Sequence, residues 1–359
     1  MRGAFEDQGG LFSYISAEAR VPKNHPLRTI RELVRDVLGE LNRNLSRLYA
    51  NEGRPSIPPE QLLSALLLQV FYGIRSERQL MEQLDYNLLY RWFVGLSPDD
   101  PVWDPTVFTK NRDRLQSGEV FAKFMNKLLN HPQVRPLLSD EHFSVDGTLI
   151  EAWASQKSFR PKDGSGDDDG GANFHGQKRK NDTHASTSDP DSRLYRKAAG
   201  REARLSYMGH VVMENRHGLA VAGMVTHATG TAERSASETM LKAKAREAGH
   251  RITAGEDKAY DTAEHVTNLR ALNVTPHVTQ YNNASPRGRQ SAIDGRTTRH
   301  QGYGMSQSRR AMIECIFGWG KQHGTMRKTK HRGICRVTAD FLLNLIAYNL
   351  IRIPKLLTA

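Results

Sequence analysis

The stretch Ser306–Lys321 (Ser-Gln-Ser-Arg-Arg-Ala-Met-Ile-Glu-Cys-Ile-Phe-Gly-Trp-Gly-Lys) constrains the fold of this chain more than any other. Ser306 is a suitable helix cap, and the residues after it repeat with a helical period. At about 100° per residue, Arg310, Glu314 and Lys321 fall within about 40° of one another. Met312, Ile313, Ile316 and Phe317 fill a separate sector that can face a core. The expected helix therefore covers an apolar floor and holds one acid between two cations on a stripe of its own. A lone surface acid has no need of that arrangement, whereas a carboxylate that ligates a metal beside phosphate does. Two further carboxylates stand at expected strand ends, Asp146 and Asp257.

A chain of 359 residues is long enough for two domains. Its formal net charge is +12, which favours a polyanionic partner, nucleic acid or an anionic surface. Neither cysteine, Cys315 or Cys335, lies in a Cys-x-x-Cys motif. Their spacing with His323 and His331 matches no familiar zinc pattern, so Cys315 reads as a core residue. Residues Met1–Asp7 lack an apolar signal region. The most apolar segment, Phe341–Ile353, carries Asn344, Asn349 and Arg352 and reads as too short and too polar to span a bilayer. No membrane partner and a cytoplasmic, nucleoid-associated location are the expectations.

The N-terminal part reads as helical. Residues 24–50 carry Leu27, Ile30, Leu33, Val34, Val37, Leu38 and Leu41 at helical spacing. Gln61–Tyr72 follows a Gly/Pro linker, Ser76 opens a third helix, Asn87–Val94 is short and aromatic, and Asp104-Pro105 starts another helix. Thr109, Lys110, Arg112 and Arg114 lie on the polar side of that last helix. Short helices with a basic final member suit a helix-turn-helix-like DNA-binding domain over residues 1–120, with 121–137 as a connecting helix or linker.

From residue 138 the pattern changes to a mixed α/β layer. Phe143–Ile150 reads as a strand, and Ser206–Glu214 with Leu219–Thr226 as a hairpin turning at Arg216-His217-Gly218. Ser237–Ala248 reads as a helix, Arg251–Gly255 as a strand, Asp261–Leu272 as a helix and Val274–Thr279 as a strand. Residues 155–204 read as a flexible polar insertion.

Three acids from distant parts of the chain can anchor two magnesium ions about 3.5–4 Å apart, the arrangement that phosphodiester cleavage uses. Asp146 lies mid-strand in Ser-Val-Asp-Gly-Thr, where a carboxylate without a cation is costly; backbone amides are the alternative partner. The second acid is open between Glu256, Asp257 and Asp261. Asp261 begins a capping box, and Asp257 stands where the strand leaves the sheet, so Asp257 is preferred. Arg327, Lys328, Lys330, Arg332 and Arg336, with Arg287, Arg289, Arg296 and Arg299, are candidate phosphate clamps. Trp319 can stack on a base or plug the core beside Phe317.

These residues resemble the DDE-type insertion-sequence transposases of the IS-five/IS-four group over nearly the whole chain. The marks are Ser-Val-Asp146-Gly-Thr, Asp257-Lys-Ala-Tyr-Asp261, Ile-Asp294-Gly-Arg296, Arg310-x-x-x-Glu314 with Lys321, and Ala347-Tyr-Asn-Leu-Ile-Arg352. The resemblance implies a ribonuclease-H-like catalytic domain over 138–359, with Asp146, Asp257 and Glu314 as ligands of Mg2+ or Mn2+. It implies that Arg310 and Lys321 hold phosphates near the cut; on the reading of the basic residues themselves, Lys110, Arg112, Arg296, Arg327 and Lys328 are candidate DNA contacts. Gln307 stands where the related pattern often has Tyr. The expected activity is binding of terminal inverted repeats, hydrolysis of the element's ends and joining of the 3′-hydroxyls to target DNA, by a homodimer or larger assembly on double-stranded DNA. A metal-dependent nuclease without strand transfer, or a non-catalytic repressor of the element, are the rival readings.

Overall fold

The computed structural model describes residues 16–50, 52–53, 56–117, 119–163, 179–196, 200, 202–281 and 290–358. Arg287, Arg289 and most of the Gly/Asp run between Asp163 and Gly171 lie outside them.

The helical part comprises α1 (Leu27–Ser46), α2 (Pro59–Phe71), α3 (Glu77–Tyr86), α4 (Leu88–Val94), α5 (Pro105–Ser117) and α6 (Val120–Asn130). Local chemistry sets the boundaries. Ser76 Oγ accepts from Gln79 N at 3.3 Å, Asn87 Oδ1 from Leu89 N at 3.0 Å, and Asp104 Oδ1 from Thr106 N at 2.7 Å. α4 ends on Gly95 in the left-handed region at φ 87°, which glycine adopts without steric cost. α1 buries one stripe, Leu27 through Leu45, whereas α2 is buried without interruption from Leu62 to Val70 and forms the centre of the bundle. α6, in the segment expected as a connecting helix or linker, buries Val120, Phe121, Phe124, Met125, Leu128 and Leu129.

The sheet has five principal strands: β1 (His142–Glu151), β2 (Arg204–Glu214), β3 (Ala220–His227), β4 (Ile252–Glu256) and β5 (Val274–Val278). Their order is β3-β2-β1-β4-β5. The first three are antiparallel to one another and the last two run parallel to β1. This is the ribonuclease-H-like sheet that the resemblance implies. Glu214 holds the β2–β3 turn: its buried carboxylate accepts from the backbone N–H groups of Ser139, Arg216, His217 and Leu219. α7 (Ala232–Ala248), α8 (Ala263–Ala271), α9 (Gln301–Arg310) and α10 (Ile313–Gln322) follow the strands, and α11 (Ile334–Leu357) ends the chain.

α11 is longer than the apolar segment picked out in the sequence. By length and composition it could cross a membrane, but 72% of its most apolar window is buried within this protein. Two glycines admit it to the sheet. A side-chain carbon at Gly209 would lie 2.6 Å from the Phe341 ring, and one at Gly223 would lie 2.4 Å from Leu345 Cδ1. Its asparagines are satisfied internally: Asn349 accepts from Ala220 N at 3.0 Å and donates to Ala220 O at 2.8 Å, and Asn344 Oδ1 accepts from Thr325 N at 2.9 Å. Its other sides meet α1, α2, α5 and α6. One apolar core accordingly runs from Val21 through the bundle and sheet to Ile353. The boundary expected near residue 138 is not a gap in the packing.

The segment 155–204 differs from its sequence reading. Phe159–Pro161 pairs with His184–Ser186, and Arg193–Tyr195 pairs with the start of β2. Asp189 is fully buried, accepting from Tyr207 Oη at 2.5 Å and Gly333 N at 3.1 Å, and Asp191 accepts from Ile334 N at 2.9 Å. Polar side chains here anchor the arm to the sheet and to the start of α11, so its described residues are built structure rather than loose loop.

The polar face of α5 also has a different use. Arg112 forms an ion pair with Glu77 of α3 and a second with Asp113 at 2.8 Å, leaving 11% of its side chain exposed. Lys330 reaches the same Glu77 at 3.3 Å, Arg336 reaches Asp113 at 3.1 Å, and Thr109 donates to Glu77. Arg114 lies over the Tyr49 ring. The group clasps α3 and α5 to the start of α11 (Ile334–Leu357) and to the segment before it. Lys110 alone of the four residues singled out on α5 is exposed. Breaking a buried pair leaves an uncompensated charge, typically costing about 3–5 kcal/mol. Arg112→Ala should lower unfolding free energy towards the bottom of that range, since Lys330 and Thr109 still hold Glu77. Lys110→Ala should change it by less than about 0.5 kcal/mol. Denaturant melts of the two variants check this contrast.

Candidate active site

The register of two strands sets the site. β1 pairs with β4 through Ser144↔Gly255, the last matched pair. Two residues further along stand Asp146, still inside β1, and Asp257, the first residue after β4. Gly255 lets α9 close over this point: a side-chain carbon there would lie 3.0 Å from Ser144 Oγ and 3.3 Å from Ser306 O. Tyr303 Oη donates to Val278 O at 3.1 Å, Ser306 Oγ lies 2.7 Å from His277 Nδ1, and Thr279 Oγ1 donates to Gln307 Oε1 at 2.7 Å. Gln307 also donates to His277 O. The residue standing where the related pattern often has Tyr thus ties α9 to the end of β5.

The stretch opening the sequence argument is two helices rather than one. Ser306 is buried inside α9, whose cap is His300, and the helix tightens at Ala311-Met312 before α10. Met312 N, Glu314 N and Cys315 N bond three residues back, to Arg309 O, Ala311 O and Met312 O. The two halves have different floors. The first is held by β5 through Ser306 and Gln307, and the second buries Ile313, Ile316 and Phe317. Arg310 and Glu314 flank the joint. Cys315 is exposed, contrary to its reading as a core residue. Trp319 is half-buried edge-on against Tyr348 of α11, centroids 6.0 Å apart.

Asp146, Asp257, Glu314 and Arg310 share one electrostatic field. Burial pushes the Asp146 carboxyl up to about 6; Gly147 N–H donation at 2.7 Å opposes this, Asp257 raises it, Arg310 lowers it and Glu314 raises it. Glu314 is exposed, and Arg310 keeps a buried Nε without a hydrogen-bond partner. Lys321 is half-buried in the last turn of α10. An oxygen-only donor set at a half-buried, mutually repelling group of acids fits a hard divalent cation such as Mg2+ or Mn2+. Among the described residues, these acids do not form a tight ligand group. The group that does, Asp140, Glu141 and His250 within 4.8 Å, is exposed and lies before β1 and β4, at the opposite end of the strands.

The structure separates the three candidates for the second acid. Asp261 is buried and accepts from Tyr281 N at 2.7 Å and Ala292 N at 3.0 Å, while Thr262 caps α8. Glu256 is fully buried, with Ser237 donating to one oxygen and His265 Nε2 2.9 Å from the other. Asp257 is half-exposed, and its Oδ1 accepts from Ala259 N at 2.8 Å. Among the candidate DNA contacts, Arg296 and Arg327 are exposed, and Lys328 pairs with Glu151 at 3.1 Å over the exposed Trp153.

The cluster beside Asp257 was not read from the sequence. His265 lies between Glu256 and Glu238, its Nδ1 2.7 Å from the latter. Burial lowers its pKa, but the hydrogen bonds and charges of the two glutamates outweigh this and raise it above the ordinary 6.5. The protonated ring therefore adds stability in full below pH 6.5, and this is lost as pH rises through the raised folded value. His265→Gln should cost about 3 kcal/mol at pH 6, a typical loss when a buried ion pair is broken. The gap from wild type should narrow as pH rises beyond 6.5. Unfolding free energies across that window check the sign.

Known proteins agree with this architecture in family. The family described as Transposase domain (DUF772) matches residues 15–114, and that described as Transposase DDE domain matches residues 261–354. The second span holds Arg310, Glu314 and Lys321 and begins after Asp146 and Asp257. No curated protein matches the chain. Two solved structures are similar at low identity. A piggyBac transposase synaptic complex with hairpin DNA is 10% identical, with 91% of this chain and 74% of that chain covered at a TM-score of 0.42. The Mos1 mariner paired end complex with Mn is 13% identical, with 94% and 93% covered at a TM-score of 0.20. Likenesses this loose carry no residue correspondence. The two family matches together take in more than half of the chain, one a transposase domain and the other a transposase DDE domain, and the chain is a DDE-type transposase by family.

Proposed function

We propose that this transposase, a member of the IS-five/IS-four group, cleaves the ends of its DNA element and joins the freed 3′-hydroxyls to target DNA. The observation that carries this reading is the shared field of Asp146, Asp257, Glu314 and Arg310 beyond the last β1–β4 pair. A DDE domain implies a divalent metal; Mg2+, with Mn2+ able to replace it, would supply charge stabilisation at phosphorus and lower the pKa of the attacking water or hydroxyl. Asp146, Asp257 and Glu314 are the residues that would hold it. Asp146 is fixed within β1, and Asp257 directly follows the neighbouring strand β4. Glu314 is set by a helix joint and is the adjustable member. Arg310 and Lys321 neutralise phosphate at the cut. Lys110, Arg296, Arg327 and Lys328 contact the backbone of end or target DNA, while Arg112 acts first as a clasp between helices. The assembly on DNA is a dimer or larger, since two ends must meet.

Asp146→Asn, Asp257→Asn and Glu314→Gln change charge with little change of shape. Each should lower metal-dependent nicking of an end substrate by several orders of magnitude while end binding persists. Loss of cleavage in Asp261→Asn with cleavage intact in Asp257→Asn would show that the second acid is misassigned. Pre-cut ends incubated with target DNA test joining separately: cleavage without joining leaves a nuclease. Arg310→Ala and Lys321→Ala should weaken cleavage and DNA binding together, with a shallower salt dependence of binding.

A further inference from the structure

Gly147 follows Asp146 and pairs with His210 across β1 and β2. A side-chain carbon at residue 147 would lie 2.9 Å from Glu233 Oε1 and 3.3 Å from His210 Nδ1. The first distance is shorter than real contacts of such a carbon, so Glu233 reaches this point because residue 147 has no side chain. Glu233 comes from the first turn of α7, a turn the sequence reading left outside the helix.

Two buried polar atoms without partners accompany it. His210 is fully buried; its Nε2 lies 2.7 Å from Thr226 Oγ1, and its Nδ1 has no partner. Tyr260 is 1% exposed, and its hydroxyl has none either. The charges bearing on that phenol are those of Glu233, Glu256, Asp146 and Asp257. Glu256 is already engaged by Ser237 and His265. Buried donors and acceptors without partners are rare and call for a ligand or water. Here they accompany Glu233, which meets β1 at the residue after Asp146, and the waters of a hydrated cation would satisfy both atoms.

We propose that Glu233 is a fourth carboxylate of the divalent-cation site, admitted by Gly147 and backed by His210 and Tyr260. The proposal rests on the reading that Asp146 and Asp257 hold the cation. It makes Glu233 a positioning residue, acting through the ion and its waters rather than on DNA.

The test uses the full-length protein and Mn2+ alone, with binding read from loss of the free-ion electron paramagnetic resonance signal. Outer partners of a metal site typically contribute about 10–100-fold in affinity. Glu233→Gln should weaken Mn2+ binding at least about tenfold, and Glu233→Asp, which keeps the charge, by less. Gly147→Ala keeps the acid but displaces it, and should weaken binding as well. Thermal melts establish that each variant is folded, with Glu233→Asp as the mildest change. Unchanged Mn2+ affinity in both Glu233→Gln and Gly147→Ala overturns the proposal. Asp257→Asn separates the two levels. If it weakens binding and Glu233→Gln does not, only the fourth carboxylate is lost. If neither does, the reading of the cation site fails, and this proposal fails with it.

Discussion

The pairing of β1 with two unlike neighbours is the constraint on which the rest depends. On one side it meets β2 antiparallel through nine matched residues, and on the other it meets β4 parallel through three. The long ladder fixes β1 through Asp146; the short one ends at Ser144↔Gly255, two residues before each acid. Acids so placed repel, and only a fold that over-determines them from elsewhere can hold them there. The anchoring is visible on the β4 side. Glu256, one residue before Asp257, is locked by Ser237 and His265, and Asp261, four residues after it, bonds two backbone amides. The partly exposed carboxylate is flanked by two that are buried and engaged.

Much of this was legible in the sequence, for identifiable reasons. Strand and helix positions followed from period and caps: Ser76, Asn87 and Asp104 cap as their side chains suggest, and the β2–β3 turn falls at Arg216-His217-Gly218. The choice of Asp257 over its neighbours rested on its place at a strand end, and it is the one of the three left partly exposed. Periodicity failed at Ala311-Met312, because a helical wheel assumes one floor and this segment has two. Composition failed at residues 155–204, because Asp189 and Asp191 look like loop residues but are consumed by bonds to Tyr207, Gly333 and Ile334. On α5, Arg112 reads as a DNA-contacting cation on the polar side, and composition gave no sign that it meets Glu77 from another helix. Glu233 was missed because Thr231 makes no side-chain cap, so nothing local marks the start of α7.

A common thread is that polar side chains decide long-range geometry here while apolar ones fill volume. Asn349 completes the edge of β3 like a short piece of strand, and Gln307 does similar work at the end of β5. Both of these amides have their partners, so each specifies one docking position where an apolar residue would tolerate several.

The unbroken core from α1 to α11 has a mechanical consequence. A protein built of beads on a tether can seize one duplex segment with each bead and adjust by swinging. This chain offers no such swivel among its described residues, since α11 is wedged into bundle and sheet alike. Whatever bending a duplex needs to reach one set of acids must then come from the nucleic acid. The choice of easily deformed DNA steps becomes part of where such an enzyme acts.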